Sequence, residues 1–224
     1  ICSRFVKLGK ILFLNDMKKA NNNIYAIFEK KERFCPTLLE GILHTEFFEK
    51  EPFEPRSSDS GEWRTTKNIK TVLPEEVWFV TKDKKYEFDI RWDSQGFFVS
   101  SEFLGLLLKF EIQNFQYTKL NVVNKYKESI ASKKYYYLRF YNKLEDAIDL
   151  ERSKIHFDKQ NRSIKKIWDL QFKRSIEFGD VFVLSNTGFA SILFCSEEFK
   201  KEAENLKIVG ISFITSDQAG VYKI

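Results

Sequence analysis

A pattern that occurs twice constrains this chain more than any other feature. Phe98-Val99-Ser100-Ser101-Glu102-Phe103 recurs 96 positions later as Phe194-Cys195-Ser196-Glu197-Glu198-Phe199. The parallel continues through Leu107 and Ala203, Phe110 and Leu206, Ile112 and Ile208, and Tyr117 and Phe213. Ser100 and Ser196 stand where a helix N-cap hydroxyl accepts from the orphan amides of the first turn. Glu102 and Glu198 follow inside that turn, where a carboxylate favours the positive end of the helix dipole. Phe103, Leu107 and Phe110 then make one apolar stripe, and Phe199, Ala203 and Leu206 make another. Each copy therefore reads strand, capped helix, strand.

The rest of the chain reads mainly as strands. Arg4–Leu14, Asn23–Phe28 and Tyr135–Tyr141 are rich in β-branched and aromatic residues, and Ser163–Phe172 is a further strand or mixed segment. Val77–Val80 and Tyr86–Trp92 predict a hairpin around Lys82–Lys85. Apolar Leu38, Leu39, Ile42, Leu43 and Phe47 predict a helix over Thr37–Phe48. Pro52, Pro55, Ser57, Ser58, Ser60 and Gly61 make Glu49–Thr66 an exposed loop. The expected fold is α+β: mixed, mostly antiparallel sheets with short helices. The two strand-helix-strand units suggest lobes over 1–120 and 121–224 within one compact unit.

Composition excludes several kinds of chemistry. The nine glycines are never closer than nine positions apart. A dinucleotide fingerprint, a Walker-type phosphate loop and a nucleophile elbow all need closely paired glycines. The three cysteines form no CxxC pair and are an odd number for a disulfide framework, which points to a reducing, cytoplasmic setting. The longest uncharged run, Val181–Ser196, has sixteen residues, short of the ~20 that a spanning helix needs. His44 and His156 lie 112 positions apart with no second ligand at metal spacing, so no metal and no cofactor are expected. A lone histidine of this kind reads as a structural residue.

Charge is more informative in its distribution than in its total. The net +5 combines a basic stretch over 113–175, fifteen Lys and Arg against seven Asp and Glu, with an acidic one near the first third. Over residues 46–62, six acids face only Lys50 and Arg56, and Phe47, Phe48 and Phe53 are interspersed. Glu46, Glu49, Glu51 and Glu54 there either dock a basic partner or lie on a solvated loop. In the basic stretch, one face of the Tyr135–Tyr141 strand carries Tyr135, Tyr137, Arg139 and Tyr141. Such a face suits a protein interface, single-stranded nucleic acid, or a half-buried strand with wet hydroxyls. Asp146 and Asp149, three apart, would share a helix face as a Mg²⁺ site or acid-base pair. Alternatively they are the solvated acids of a turn that buries Ala147 and Ile148.

The order of motifs in the second half adds a resemblance. Tyr136-Tyr137-Leu138-Arg139-Phe140-Tyr141-Asn142 leads into Asp146-Ala147-Ile148-Asp149-Leu150-Glu151-Arg152-Ser153. Ile164–Ile167, Val181–Leu184, the run from Ile192 to Glu198 and Gly210-Ile211-Ser212-Phe213 follow. Over residues 97–224 this resembles the α+β immunity-protein families of bacterial polymorphic-toxin systems. Asp146, Asp149 and Ser153 fall on their "D-A-h-D-x-x-x-S" turn, and Ser196 and Glu198 on their closing "S-E-x-h-K-x-h" helix. Asn205-Leu206-Lys207 stands where a glycine is common before the last strand. The resemblance implies a non-enzymatic protein that binds a cognate toxin domain and occludes its active site. Binding of nucleic acid through 113–175 is the competing expectation; a net +5 is small for that task.

Overall fold

The computed structural model describes residues 23–60, 62–65, 71–93, 95–141, 143–144, 146–157, 164–185, 189 and 191–219. The expected Arg4–Leu14 strand lies outside them. In chain order the elements are β1 (Tyr25–Glu29), β2 (Gly41–His44), α1 (Glu62–Thr65), β3 (Glu76–Thr81), β4 (Ile90–Asp93), β5 (Gly96–Ser100), α2 (Ser101–Lys109), β6 (Phe115–Val123) and β7 (Tyr135–Phe140). They continue with β8 (Lys154–Phe157), β9 (Ile164–Asp169), β10 (Val181–Val183), β11 (Leu193–Cys195), α3 (Glu197–Asn205) and β12 (Ile211–Thr215). The fold is α+β and dominated by sheet.

Six strands form one sheet in the order β2-β3-β6-β7-β5-β4, four form a second in the order β10-β11-β1-β12, and β8 and β9 form a separate ribbon. Within the sheets, β3 and β6 run parallel and the other pairs antiparallel. The shared core fills from three sides. Val99, Phe97 and Leu138 come from the first sheet, Ile27, Val181 and Cys195 from the second, and Phe103, Leu107, Phe199 and Ala203 from α2 and α3. Phe199 stacks edge-on with both Phe103, at 6.0 Å between ring centroids, and Phe110, at 5.2 Å. Phe98 and Phe194 point away from this core, each into the cluster on the far face of its own sheet.

The recurring pattern is thus a recurring substructure. The order β4-β5-β7-β6 matches β10-β11-β1-β12, with antiparallel neighbours throughout. In both copies the strands joined through the helix are separated by a strand from elsewhere: β7 in the first, β1 in the second. The helix ends match atom for atom. Ser100 Oγ accepts from Phe103 N and Ser196 Oγ from Phe199 N, each at 3.1 Å. At the other end, Glu111 N and Ile112 N donate to Leu108 O and Leu107 O, while Lys207 N and Ile208 N donate to Glu204 O and Ala203 O. These are two Schellman caps, with Glu111 and Lys207 at a left-handed φ of 54°. Lys207 therefore occupies the conformation in which the family resemblance expects glycine.

Three sequence expectations need correction. Residues 41–44 form a strand against β3, with no helix over 37–48. The apolar doublets fit either period over so short a run. Pairing with β3 needs the glycine at 41, since a Cβ there would lie 2.5 Å from Phe79 and from the Val80 carbonyl oxygen. The 77–80 and 86–92 segments do not pair as a hairpin: β3 lies between β2 and β6, and β4 pairs with β5. A division near residue 120 would cut β6 and take β7 from one sheet and β1 from the other, so the two halves interleave rather than form lobes.

The halves are stapled by two buried charges. The Asp89 carboxylate accepts from Ser100 Oγ, from Lys133 Nζ at 2.6 Å and from Val209 N at 2.6 Å, just before β12. Arg91, fully buried, donates to the main-chain oxygens of Lys30, Cys35, Pro36, Ile90 and Gly210 and lies 5.1 Å over the Phe88 ring. Gly210, at φ +81°, leaves room for it, because a Cβ would sit 2.9 Å from Arg91 Nη2. Asp180 repeats the Asp89 device in the second copy: Ser196 Oγ donates to Asp180 Oδ1 at 2.7 Å and Ser196 N to its carbonyl.

Candidate protein-binding surface

The acidic segment 46–60 is an ordered surface, and its order begins at a buried pair. His44 ends β2 on the side of the strand opposite Leu43, fully enclosed. Its Nδ1 donates to Asp59 Oδ2 at 2.7 Å, and its Nε2 lies 2.9 Å from the Pro52 carbonyl oxygen. Asp59 also accepts from the main-chain amides of Arg56 at 2.7 Å and Thr45 at 3.3 Å. The buried His44–Asp59 pair thus ties together the start, middle and end of the loop. Burying a charge is tolerable only when its lone pairs are satisfied in this way.

The aromatic residues turn inward and the acids outward. Phe47 packs against Trp78 with centroids 5.7 Å apart, and Phe48 packs edge-on against His44 at 5.2 Å. Cations cover the exposed ring faces: Arg56 over Phe48 and Lys82 over Phe53 at 5.0 Å, and Lys127 over Trp78 at 4.9 Å. Arg56 Nη2 also donates to the Lys50 carbonyl at 3.1 Å. With its rings held down, the loop exposes Glu46, Glu49, Glu51 and Glu54 together. Glu51, at φ 55°, makes the turn, and Glu54 N donates to its carbonyl at 3.0 Å.

The second candidate surface is largely interior. Tyr135, Tyr137 and Arg139 are buried at 2%, 0% and 4% exposure, so these three do not form a partner-facing stripe. The face expected to carry rings toward solvent is the one that packs under the 62–65 and 71–74 segments. Tyr135 donates to the Phe88 carbonyl, Tyr137 stacks edge-on with Trp63, and Arg139 donates to the carbonyls of Trp63 and Thr71 and to Gln116. Burial pushes both phenols up and draws the guanidinium down from their usual values. Tyr141 is half-buried, its hydroxyl on the Gln113 carbonyl. The same burial removes the stacking platform on which the nucleic-acid expectation rested.

The remaining motif residues have architectural roles. Ser100 and Ser196 cap their helices as expected, with Glu102 and Glu198 exposed in the first turns. Asp146 and Asp149 do not share a helix face. Asp146 pairs with Lys173 at 2.6 Å, and Asp149 with Arg152 Nε at 2.6 Å, which holds the Asp149 carboxyl below the usual range. Asp149 also accepts from the amides of Glu151 and Arg152, building the turn that buries Ala147 and Ile148. Ser153 closes it, accepting from Gln171 N at 2.8 Å. Among the described residues no group of three His, Cys, Asp or Glu is placed to hold a metal ion, and no helix is long and apolar enough to cross a membrane.

Sequence reasoning missed Asp89, Asp180 and Arg91, and saw no link from His44 to Asp59. A signal existed for the aspartates, since each precedes a strand ahead of the capping serine. The intervals differ, however, at 11 and 16 residues, so an ungapped comparison passes over them.

Comparison with known families gives first the class: this is an immunity protein. The chain belongs to the Immunity protein 43 family, whose model matches residues 27–223. The match reaches back through the first third to β1, which the fold requires, because β1 is an inner strand of the second sheet. No curated protein matches the chain.

Proposed function

We propose that this protein neutralises a cognate bacterial toxin domain of a polymorphic-toxin system by binding it in the cytoplasm, without catalysis, and occluding its active site. The acidic 46–60 loop is the contact, and the toxin surface it meets is basic. The observation that carries this reading is the arrangement of that loop: Asp59 and His44 lock the backbone from inside, and four glutamates are left at the surface. An ordered loop loses little conformational entropy on docking, and complementary charge speeds encounter and fixes register. Membership in an immunity-protein family implies a toxin partner.

Co-expression tests the reading. The toxin domain encoded beside this protein should arrest growth when expressed alone and be harmless with the wild-type partner. The Glu49→Lys/Glu51→Lys/Glu54→Lys triple variant should fold normally and fail to protect. Full protection by the triple variant would move the contact elsewhere on the molecule.

A further inference from the structure

A sheet edge left unpaired is a template for another strand, and the two main sheets have four such edges. On β4, the Trp92 amide donates to Glu29 Oε1 and the Ile90 carbonyl accepts from Arg91 Nη1, each at 2.7 Å. Leu144 lies along β10, donating to the Val183 carbonyl at 2.8 Å and accepting from Ser185 N at 3.0 Å. β2 has four residues and runs into the acidic loop. β12 is different. Lys30 N donates to the Gly210 carbonyl and Ser216 N to that of Ile24, and Ile214 and Ser212 pair with Ala26 and Phe28 in between. Bonded pairs of an antiparallel ladder recur every second residue, so Ser212 and Ile214 bond β1 and Ile211, Phe213 and Thr215 turn their main-chain groups outward. Gln218 N takes the Thr215 carbonyl at 2.9 Å. The amides of Ile211, Phe213 and Thr215 and the carbonyls of Ile211 and Phe213 meet no partner among the described residues. All three residues are partly exposed, and the strand carries no charge, proline or register shift.

We propose that β12 pairs with β12 of a second copy of this chain, antiparallel about Phe213, so that two four-stranded sheets become one continuous sheet. The free groups select this occupant because they complement themselves under a two-fold axis. Phe213 N of each copy meets the Phe213 carbonyl of the other, and Thr215 N of each meets the Ile211 carbonyl of the other. Charge selects the orientation. Residues 208–216 are uncharged, with exposed Lys207 before them and exposed Asp217 after them. Antiparallel pairing brings the Lys207 end of one copy to the Asp217 end of the other, whereas parallel pairing would set like against like. Ile211 and Phe213 pack at the margin of the shared core, and the axis makes the two Phe213 side chains cross-strand neighbours that extend it. Such a contact is isologous and closes at the dimer. The acidic loop follows β2 in the other sheet, so the pairing does not use it and does not depend on the proposed function.

Sedimentation and hydrogen exchange of the purified protein without toxin test the proposal. The wild type should form dimers and nothing larger, and should still do so at about 1 M salt, because main-chain bonds carry the contact. The Phe213 amide should be protected in the dimer and exchange freely in a monomeric variant. Thr215→Pro deletes an amide with no partner inside the chain, at an edge position that tolerates proline, and should weaken dimerisation at least about tenfold. If that variant fails to fold, Ser212→Lys replaces it, setting like charges across the axis at a partly exposed position, and should weaken dimerisation about tenfold. Glu49→Lys/Glu51→Lys/Glu54→Lys should dimerise like the wild type, which separates this result from failure of the toxin contact. A wild type that stays monomeric up to about 1 mM, a dimer whose Phe213 amide exchanges freely, or a folded β12 variant that dimerises as well as the wild type would each overturn the proposal. Protection of the Phe213 amide that appears only when the toxin domain is added would also overturn it, in favour of a strand of the toxin.

Discussion

Replacing Asp59 should release the acidic loop while leaving the sheets intact. The carboxylate is buried and accepts from His44 Nδ1, Arg56 N and Thr45 N. Asp59→Ala leaves three donors without an acceptor, one of them on a fully enclosed imidazole. Breaking a buried pair by removing one partner costs about 3–5 kcal/mol. Asp59→Asn keeps one oxygen for the two short bonds and loses the charge, so it should cost about 1–2 kcal/mol. The loop leaves and rejoins the framework within 15 residues, so the loss should appear first as local opening. Hydrogen exchange reads it directly. Protection at the Thr45 and Arg56 amides should fall by at least about a hundredfold and up to about a few thousandfold in Asp59→Ala, since 1.4 kcal/mol is a factor of ten, with β6 and β7 amides unchanged. Exchange at Thr45 and Arg56 within about twofold of wild type would refute the claim that this carboxylate holds the loop.

Further outcomes follow from the framework. Lys207→Gly and Glu111→Gly should each stabilise by about 0.5–1 kcal/mol, additively, in urea unfolding, because both residues hold φ 54° at a helix C′ position. Ser196→Ala and Ser100→Ala should each cost about 1 kcal/mol for the lost cap, with Ser100→Ala costing more because Asp89 also loses a donor in the interior. Arg91→Lys should cost at least about 2 kcal/mol, since three ammonium donors cannot satisfy five carbonyls, and should lower the melting temperature cooperatively. Burial raises the Glu29 carboxyl above 4.5, so the native state holds its proton more tightly than the unfolded chain does. Stability therefore falls as pH rises from 4.5 through the raised value. Glu29→Gln, which still accepts from Trp92 N, should flatten that part of the pH profile.

How much of this was legible in the sequence depended on how local the cause was. Helix caps are local, and Ser100, Ser196 and their first-turn glutamates signalled both helices correctly. Strand insertion is not local. Nothing within Tyr135–Phe140 or Tyr25–Glu29 says that each will enter between two strands joined by a helix, and this interleaving is what defeats a division near residue 120. The Tyr135, Tyr137 and Arg139 stripe is legible in the alternation, and its inward direction is not. Alternation separates two faces and does not say which of them the 62–65 and 71–74 segments will cover. The acidic loop was legible as composition. Its rigidity was not, because the lock is made by a histidine and an aspartate 15 residues apart that no motif connects.

The central claim is that the acidic loop is the toxin contact. Calorimetric titration of the neighbouring toxin domain with the wild-type protein and with Glu49→Lys/Glu51→Lys/Glu54→Lys tests it most directly. The account predicts tight binding by the wild type that weakens with salt, and a loss of at least about a hundredfold in the variant, well beyond the share of any one rim charge. Equal affinity for the two proteins, with both correctly folded, would contradict it.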